Sequence, residues 1–379
     1  MTAAIAGIGQ TEFSKDSGRS ELQLAVEAVY AAIVDAGLRP ADIDGMVTFF
    51  EDTSSEIAIA KSIGIPELRW TARTPFGGGG SAATVQVASA AVESGMVIAV
   101  VIYRAFNERS GRRFGQPRER REVIPSSMSP YMPFGLDTPA KIYALWFERY
   151  MYQYGVTNED LGRYVVIARR HAATNPAAWF FGQPITLEDH QASRWIVEPI
   201  LRKLDCCQES DGGVALVVTT MDRAKDLPQV PVRVAAATQS HLDSGDVLFN
   251  YHHADIAQFP EARSVGNQLW KSAGIGPADI DVALIYENFT PVVFLQLEAF
   301  GFCRPGEAKD FIADGQIGMQ GSLPVNTHGG LLGEAYIHGV NNLLEGVRQI
   351  RGTAANQVEG AAHALVAAGR SGAILARVN

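Results

Sequence analysis

The sequence predicts an α/β protein made of two similar halves around a mostly parallel sheet, and three observations support this fold class. Segments with helical and with strand periodicity alternate along most of the chain, which is typical of sheets covered by helices. A helix–turn–strand unit occurs twice: residues 36–49 read AGLRPADIDGMVTF and residues 273–286 read AGIGPADIDVALIY, identical at seven of fourteen positions. The length of 379 residues is enough for two domains or one large duplicated domain.

The first unit begins with an amphipathic helix. Its apolar side chains recur at helical spacing on one face: Leu22, Val26, Val29 and Ile33. Ser20 and Gln23 form a capping-box pattern at its start, and Gly37 stands where a helix C-cap belongs. A Pro-Ala-Asp-Ile-Asp turn and the strand GMVTFF follow.

The second unit has the same order. Val265, Leu269 and Ala273 form the apolar stripe of its helix, and Gly274 ends that helix. The same turn then leads into the strand VALIYEN. The shared order of elements indicates a duplication rather than a chance match.

The likeness between the halves continues beyond these strands. The first is followed by the glycine run 77–80, a helix of small residues and the strand MVIAVVIY. The second is followed by His-Gly-Gly at 328–330, a helix from about 334 to 350 and the strand SGAILARV. We therefore place an N-terminal half at 1–225 and a C-terminal half at 226–379, related by a pseudo-two-fold axis.

Residues from about 105 to 200 interrupt the repeat, and we interpret them as an inserted cap over the first half. The stretch 104–121 contains seven arginines and only two acids, and forms either a solvated loop or a site for a phosphate-rich ligand or an acidic partner surface. A helix follows, with Thr138 as N-cap and Pro139 in its first turn. It carries four aromatic side chains, a pattern more typical of a core than of a ligand site: Tyr143, Trp146, Phe147 and Tyr150.

Charge and composition argue against several classes of protein. A net charge of −9 without a long basic block argues against nucleic acid as a partner. The cysteines Cys206, Cys207 and Cys303 form no C-x-x-C pair, so we expect no metal site and a reducing compartment. The chain shows no leader at its start and no run of about 18 apolar residues. We expect a cytoplasmic protein without a membrane span.

Five segments, spread over most of the chain, carry a family pattern. They read AAIAGIGQTEF near the start, YGVTNEDLGRYVVIARRHAATNP at 154–176, LRKLDCCQESDGGVALVV at 201–218, VALIYENF at 282–289 and VNTHGGLLGEAYIHG at 325–339. With them the sequence resembles the thiolase superfamily, in particular its sterol-carrier-protein-x and lipid-transfer-protein branch. The resemblance implies a thiolase-like fold of two βαβαβαββ halves in five αβαβα layers, a homodimer and an acyl-CoA ligand.

The catalytic positions of that superfamily differ here. Gly77 stands where the resemblance places the nucleophilic cysteine, and the last cysteine, Cys303, lies too early to be the second catalytic one. Tyr336 replaces the catalytic histidine, and Tyr286 replaces the asparagine of the Asn-Glu-Ala-Phe turn. Covalent acyl transfer needs a thiolate, so the site is either inactive or rebuilt for another reaction.

A rebuilt site is favoured, because two catalytic positions received side chains that donate and accept protons. We predict Tyr286 and Tyr336 as an acid/base pair, without deciding which is the base. A tyrosine has a pKa of about 10, so a tyrosine base needs a positive field or a hydrogen-bond relay. Glycines near helix starts leave N–H groups for an oxyanion, and we predict this backbone role for five of them. They are Gly77, Gly78, Gly329, Gly330 and Gly372.

A site that can stabilise an enolate without an acyl-enzyme suits the retro-aldol cleavage of a β-hydroxyacyl-CoA. The sequence resembles the steroid side-chain aldolases of this branch, which implies a steroid substrate with a tertiary hydroxyl and, as products, a 17-keto steroid and propionyl-CoA. It also implies a small partner protein with a zinc ribbon and an oligonucleotide-binding fold, joined to or bound with a hydratase-like subunit. We expect no cofactor, because CoA enters as part of the substrate.

Four further residues are candidates for supporting roles. His328 and His338 flank the tyrosine motif, and each either orients a tyrosine or a water or is a structural histidine. Glu287 and Asn288 are expected to hold their turn, with a proton relay as the alternative for Glu287. Two other functions stay open: a non-catalytic subunit that binds acyl-CoA or sterol, and a conventional thiolase, which the missing cysteines argue against.

Overall fold

The first strands and helices follow the order that the repeat predicts. The computed structural model describes residues 2–75, 77–111, 113, 129, 131–242 and 254–378. The N-terminal elements are β1 Ala3–Gln10, α1 Glu21–Asp35, β2 Gly45–Phe49, α2 Glu56–Ile63, β3 Trp70–Thr74, α3 Ala83–Glu93 and β4 Ala99–Asn107. The segment between β4 and the next long strand holds α4 Pro139–Tyr154, α5 Asn158–Thr174, α6 Leu187–Ala192, β5 Trp195–Val197 and β6 Leu201–Arg202.

The remaining elements repeat the pattern. β7 Asp211–Thr220 and the short α7 Met221–Ala224 end the first half. The second contains β8 Val232–Gln239, α8 Pro260–Ala273, β9 Val282–Ile285, α9 Pro291–Ala299, α10 Ala308–Ala313, α11 Gly330–Gly333, α12 Val340–Arg351, β10 His363–Ala367 and β11 Ser371–Ala376. No helix in the described ranges is long and apolar enough to cross a bilayer.

Nine strands form one sheet in the order β3-β2-β4-β7-β1-β8-β11-β10-β9. Counted outward from the β1–β8 pair, the first half runs β1, β7, β4, β2, β3, and the second half runs β8, β11, β10, β9, so equivalent strands follow in the same order. Val325 pairs with Ala283 of β9 at the place that β3 takes in the first half. The predicted duplication therefore appears in the topology.

The prediction of a mostly parallel sheet is wrong. Only β2–β3, β2–β4 and β9–β10 pair in parallel, and the other strand pairs of the large sheet are antiparallel. The reason is that β10 joins β11 through a short turn, which leaves no room for the crossover helix that a parallel pair requires. The equivalent pair in the first half, β4 and β7, is also antiparallel, although α4, α5 and α6 lie between these strands in the chain.

Alternate side chains of each strand face different cores, which creates the predicted five layers. In β4, Val100 and Ile102 face a middle core, and Val101 and Tyr103 face an outer one. Helices α3 and α12 lie in the middle core between the strands of the two halves. Helices α1 and α2 cover the outer face of the first half, and α8 and α9 cover that of the second.

The helix boundaries follow local signals, with one difference. Ser20 Oγ accepts a hydrogen bond from the Gln23 N–H, as the capping pattern predicts. The single helix predicted from 334 to 350 is instead split into α11 and α12. Its break coincides with positive φ angles at His338 and Gly339, a conformation that a helix cannot contain. The irregular segment between the two helices carries Tyr336 and His338 toward the centre of the molecule.

The insertion packs against the second half, so the expectation that it lies over the first half is wrong. Buried side chains of α4 and α5, such as Phe147 and Val165, share a core with Phe289 and Val292. All nine residues of α9 are buried, including the polar Gln296 and Glu298, so this helix has a cover on its outer side as well. The aromatic stripe of α4 supplies that cover.

Candidate active site

Two tyrosines meet at the centre of the molecule. Tyr286 directly follows β9, and its N–H donates to the Ala367 carbonyl oxygen at 2.8 Å. Tyr336 lies between α11 and α12, and its N–H donates to Ser210 Oγ at 3.3 Å. The two hydroxyl oxygens are 2.7 Å apart, and the residues expose only 8% and 7% of their surfaces. The structure thus brings together the two side chains that the sequence predicts as acid and base.

The glycine run provides the space for this pair. Residues 77–80 form a 3₁₀ turn ahead of α3. A Cβ atom on Gly78 would overlap the Tyr286 ring, and one on Gly77 would lie 2.6 Å from Glu51 Oε2. Gly77 also has a φ of +44°, which other residues rarely adopt. The space that a nucleophilic side chain would need at this loop is therefore taken by Tyr286 and Glu51.

His338 is held against the pair by a buried ion pair. Arg104 Nε donates to His338 Nδ1 at 3.1 Å, so the ring proton of His338 is on Nε2. The Arg104 guanidinium in turn pairs with Asp52 Oδ2 at 2.9 Å, and both side chains are buried. The imidazole lies edge-on to the Tyr336 ring with centroids 4.9 Å apart. The buried Arg104 guanidinium therefore fixes the orientation of the His338 ring.

The two tyrosines and His338 are electrically neutral. Burial raises the pKa of Tyr286 and of Tyr336 well above 10, because the phenolate loses its hydration. Burial, with Arg104 nearby, lowers the pKa of His338 well below 6.5. At neutral pH both tyrosines are thus phenols, and each can donate one proton and accept another.

Two cavities meet at the pair. A cavity of about 120 Å³ is lined by the glycine run and by Tyr286, and a larger one of about 700 Å³ opens on the other side. Three residues line both cavities: Pro139, Asn288 and Tyr336. The smaller cavity has aromatic walls from Tyr143, Trp146 and Phe259. The Tyr143 hydroxyl forms a hydrogen bond with the Asn288 side chain. A ligand that passes this junction touches both tyrosines.

The larger cavity carries positive charge. Its cationic side chains are Lys15, Arg109, Arg113, Arg169, Arg194 and Lys203. Arg169 exposes only 7% of its surface and stacks 3.4 Å above the Phe180 ring. In the described part of the chain no carboxylate pairs with Arg169, and burial lowers its pKa to about 10. A buried cation without a counter-ion is expensive unless a ligand supplies the negative charge.

Comparison with known proteins gives these features a context. Residues 249–377 match the family described as thiolase C-terminal domain-like. The chain is 55% identical over 371 residues to the steroid side-chain-cleaving aldolase of Thermomonospora curvata, covering 97% of this chain and 95% of that protein. The chain belongs to the steroid side-chain-cleaving aldolase family of thiolase-like proteins.

Two further relatives place the chain in the same aldolase family. It is 54% identical to the 17-hydroxy-3-oxo-4-pregnene-20-carboxyl-CoA lyase of Mycobacterium tuberculosis, over 97% of this chain and 96% of that protein. The solved structure of the Ltp2-ChsH2(DUF35) aldolase superposes with a TM-score of 0.94 at 53% identity, over 99% of this chain and 98% of that chain. One of these relatives is named as a lyase and the other as an aldolase.

Within this aldolase-family chain, Glu287 has a structural position. Its Oε1 accepts a hydrogen bond from the Leu331 N–H at 2.8 Å, and a Cβ on Gly330 would overlap it. Glu287 holds the loop before α12, and it is absent from the walls of both cavities. Asn288 also holds its turn, since its carbonyl oxygen accepts from the Cys207 N–H, and in addition its side chain faces both cavities.

His328 lies behind the tyrosine loop rather than in a cavity wall. Its Nε2 is 3.2 Å from Asn342 Oδ1 and 3.7 Å from Glu334 Oε2, and its carbonyl oxygen accepts from Asn175 Nδ2. Burial lowers its pKa to about 4, so it is a neutral imidazole. Of the two interpretations open from the sequence, these contacts support the structural histidine.

Three of the five glycines predicted as oxyanion donors lie outside the walls of both cavities. Gly372 lies inside β11, where its backbone pairs with neighbouring strands and its Cβ position faces Leu269 of α8. Gly329 has a φ of +104°, and its Cβ would collide with Ala172 of α5, so it permits helix packing. Gly330 lies against Glu287. Of these five glycines, Gly77 and Gly78 line a cavity.

Several site residues are absent from the sequence prediction. Glu51 and Arg370 line the smaller cavity, and Glu108 and Cys207 line the larger one. Both Cys206 and Cys207 reach the wall of the larger cavity, where burial raises the pKa of their thiols and keeps them neutral. The arginine-rich stretch gave a usable signal, because Arg109 and Arg113 line the larger cavity. Its members Arg112, Arg118, Arg120 and Arg121 lie outside the described residues.

Proposed function

We propose that the protein is an aldolase that cleaves a β-hydroxyacyl-CoA whose β-carbon belongs to a steroid ring and carries a tertiary hydroxyl. The products are a 17-keto steroid and propionyl-CoA. The observation that carries this proposal is the tyrosine hydroxyl pair, 2.7 Å apart at the junction of two cavities. The family membership supports the same reaction, since two relatives are named as a side-chain-cleaving aldolase and a carboxyl-CoA lyase.

The pair acts as a proton relay. Tyr286 accepts the proton of the substrate hydroxyl while it passes its own proton to the Tyr336 oxygen. The Cα–Cβ bond breaks, its electrons move into the thioester as an enolate, and the Cβ–O bond becomes a ketone. Tyr336 gives its original proton to Cα. The number of protons on the enzyme is unchanged, so no phenolate has to accumulate and the raised pKa values of both tyrosines are compatible with turnover.

The cavity walls support this direction of transfer. Tyr286 lines only the smaller cavity, and Tyr336 lines both. We place the carbon bearing the hydroxyl beside Tyr286, among the aromatic walls of the smaller cavity, and the thioester beside Tyr336 in the larger one. The reaction changes no oxidation state overall, so the proposal includes no redox cofactor, and CoA enters as part of the substrate.

The charges of the larger cavity support a CoA thioester as ligand. The phosphate groups of CoA need several cationic partners, and the wall provides a set of lysines and arginines. Arg169 is the most specific of these candidates, because it is buried and has no carboxylate partner in the described residues. The overall negative charge of the protein does not oppose this binding, since the cations are concentrated in one cavity.

We also propose that the protein works as a homodimer bound to a small partner protein. The name of the solved relative joins Ltp2 to ChsH2(DUF35), which supports a partner of that kind. A hydratase-like subunit that forms the tertiary hydroxyl would supply the substrate. Light scattering on the purified chain, alone and co-expressed with a DUF35 protein, tests both statements. A monomeric mass for the purified chain, both alone and after co-expression with the DUF35 protein, would contradict the homodimer and the partner.

The direct test of the function is incubation of the protein, with and without the partner, with the hydroxyacyl-CoA. Mass spectrometry should detect a 17-keto steroid and propionyl-CoA in equal amounts. Tight binding of the thioester with no release of ketone under either condition would instead support a non-catalytic binding subunit. Acyl-enzyme formation with acetyl-CoA would support a thiolase, and we expect none because no cysteine occupies position 77.

A further inference from the structure

Three side chains at the end of β4 lie close to the tyrosine pair. Arg104 and Phe106 share one face of the strand, because residues two apart point to the same side, and Glu108 directly follows the last strand residue, Asn107. Arg104 Nε binds His338 Nδ1 at 3.1 Å. The Phe106 ring stacks on His338 with centroids 4.8 Å apart, and it lies 6.3 Å from the Tyr336 ring. The third member, Glu108, has no part in the reaction described so far.

Glu108 lies next to Tyr336 and faces the larger cavity. Its N–H donates to the Ser210 carbonyl oxygen at 3.3 Å, and Ser210 Oγ accepts the N–H of Tyr336 at the same distance. The two residues are therefore held by one serine, and both line the larger cavity. Glu108 exposes only 2% of its surface, and its Oε2 has no hydrogen-bond partner in the described part of the chain. A buried carboxyl oxygen without a partner is costly unless a ligand completes it.

The charges around Glu108 favour its protonated form. Burial and the nearby Glu209 carboxylate raise the pKa of Glu108 well above 4.5, against the opposing effects of Arg104 and Lys15. Lys15 does not neutralise it directly, because its Nζ donates to Gln208 Oε1 at 2.9 Å and to the Glu209 carbonyl oxygen. The other titratable neighbours, Cys207 and Tyr336, are neutral. The carboxyl group is thus a hydrogen-bond donor directed at a cavity.

We infer that Glu108 is a further catalytic residue, whose carboxyl group donates a hydrogen bond to the thioester oxygen of the substrate. This inference rests on the proposed function, in which that oxygen gains negative charge as the carbon–carbon bond breaks. A neutral carboxylic acid beside a tyrosine hydroxyl can stabilise an enolate strongly, because the donor is fixed before the charge appears. Glu108 therefore lowers the barrier for bond breaking, and the tyrosine pair moves the protons.

Two substitutions separate hydrogen-bond donation from a structural role. Glu108→Gln keeps the shape and a donor N–H, and we expect it to retain kcat within about tenfold. Glu108→Leu removes the donor, and we expect kcat to fall by ~10²–10³-fold, with little change in KM. Melting temperatures and CoA binding of both variants establish whether they fold. A folded Leu variant that turns over within threefold of the wild type would overturn the inference.

The pH dependence gives a second readout. Wild-type kcat should fall as the pH rises through the pKa of Glu108, because the donor is lost, and this limb should be absent in Glu108→Gln. Glu209→Gln is the matched control from the same cavity. It removes a negative neighbour, lowers the pKa of Glu108 and should move the limb to lower pH. An identical limb in wild type and Glu108→Gln would contradict the inference.

A third measurement does not depend on turnover. A substrate analogue without the tertiary hydroxyl, labelled with ¹³C at the thioester carbonyl, is bound and its carbonyl stretch recorded by difference infrared spectroscopy. We expect a lower frequency in wild type than in solution, and a return toward the solution value in Glu108→Leu. If the protein cleaves no hydroxyacyl-CoA but shows this shift, the proposed function fails and the contact stands. Equal frequencies in wild type and Leu variant contradict the contact.

Discussion

The loops that lead into the two middle-layer helices have equivalent places in the two halves but opposite compositions. In the first half, residues 77–80 before α3 are four glycines, and they leave space. In the second half, the segment before α12 carries Tyr336 and His338, whose side chains line the same cavity as the glycines. The turn after β9, also in the second half, adds Tyr286, whose ring occupies the position of the Cβ that Gly78 lacks. One copy of the duplicated scaffold thus provides room, and the other provides the proton-transfer groups.

Removing either tyrosine hydroxyl group should have the largest effect on kcat. We expect Tyr286→Phe and Tyr336→Phe each to lower kcat by ~10²-fold or more, because each breaks the relay. Steady-state cleavage of the hydroxyacyl-CoA measures this. The matched control is Tyr152→Phe on α4, which is 81% exposed and should keep wild-type turnover. Near wild-type activity in both site variants would remove the tyrosines from the mechanism.

Adding a side chain to the glycine run at 77–80 should lower kcat almost as much. Gly78→Ala places a methyl group in the Tyr286 ring, so we expect the hydroxyl pair to separate and kcat to fall by about 10²-fold. Gly79→Ala is the neighbouring control, because its Cβ would have an ordinary contact at 3.5 Å, and it should remain within a few-fold of wild type. If both alanine variants behave alike, the close approach at Gly78 has no functional importance.

A smaller effect is expected at the cationic cavity. Arg169→Met should raise KM for the CoA thioester by about tenfold or more, through loss of a charge-assisted contact to phosphate. The same substitution should leave cleavage of the N-acetylcysteamine thioester unchanged, because that substrate has no phosphate. Arg163→Met on the same helix, where Arg163 pairs with Glu159 and Asp160, is the control. An equal loss with both thioesters would show that Arg169 contacts another part of the substrate.

The smallest predicted effect concerns His328, which lies behind the tyrosine loop, and the pH dependence of the free energy of unfolding. The folded-state pKa of His328 is lowered to about 4, below its unfolded value near 6.5, so the unfolded chain binds the proton first as the pH falls. The stability linked to His328 is therefore complete above pH 6.5 and is lost between pH 6.5 and 4. Between pH 7.5 and pH 5.5 the free energy of unfolding, measured by urea titration, should fall by about 1 kcal/mol more in wild type than in His328→Gln. Equal pH sensitivity would contradict the neutral, buried imidazole.

Local patterns in the sequence were sufficient for much of the fold. Helix α1 with its Ser20 cap and helix α8 ended by Gly274 appear as predicted, since helix signals act over a few residues. The predicted stripes are confirmed in part: Val29, Ile33, Val265 and Leu269 are buried, whereas Leu22, Val26 and Ala273 are half-buried. The pairing direction of the outer strands was not predictable in this way. For β10 and β11 it follows from the direct turn between the two strands, whereas β4 and β7 are antiparallel even with helices between them.

The candidate site also contains some features that the sequence predicts and others that depend on distant parts of the chain. The positions of Tyr286 and Tyr336 followed from a family resemblance, and the structure adds the distance between them. The contact of Arg104 with His338 joins residues 234 positions apart, and no local pattern predicts such a pair. Glu108 gave no signal in the sequence either, because its importance comes from burial and from an oxygen without a partner.

A double-mutant cycle on the tyrosine pair tests the central claim most directly. Single-turnover rates of cleavage are measured for wild type, Tyr286→Phe, Tyr336→Phe and the double variant, with folding checked by melting temperature. If the two phenols pass protons as one unit, the double variant should be no slower than the slower single variant, because the first substitution already breaks the relay. Rate losses that multiply in the double variant would show that the two hydroxyl groups act independently, and would contradict the relay.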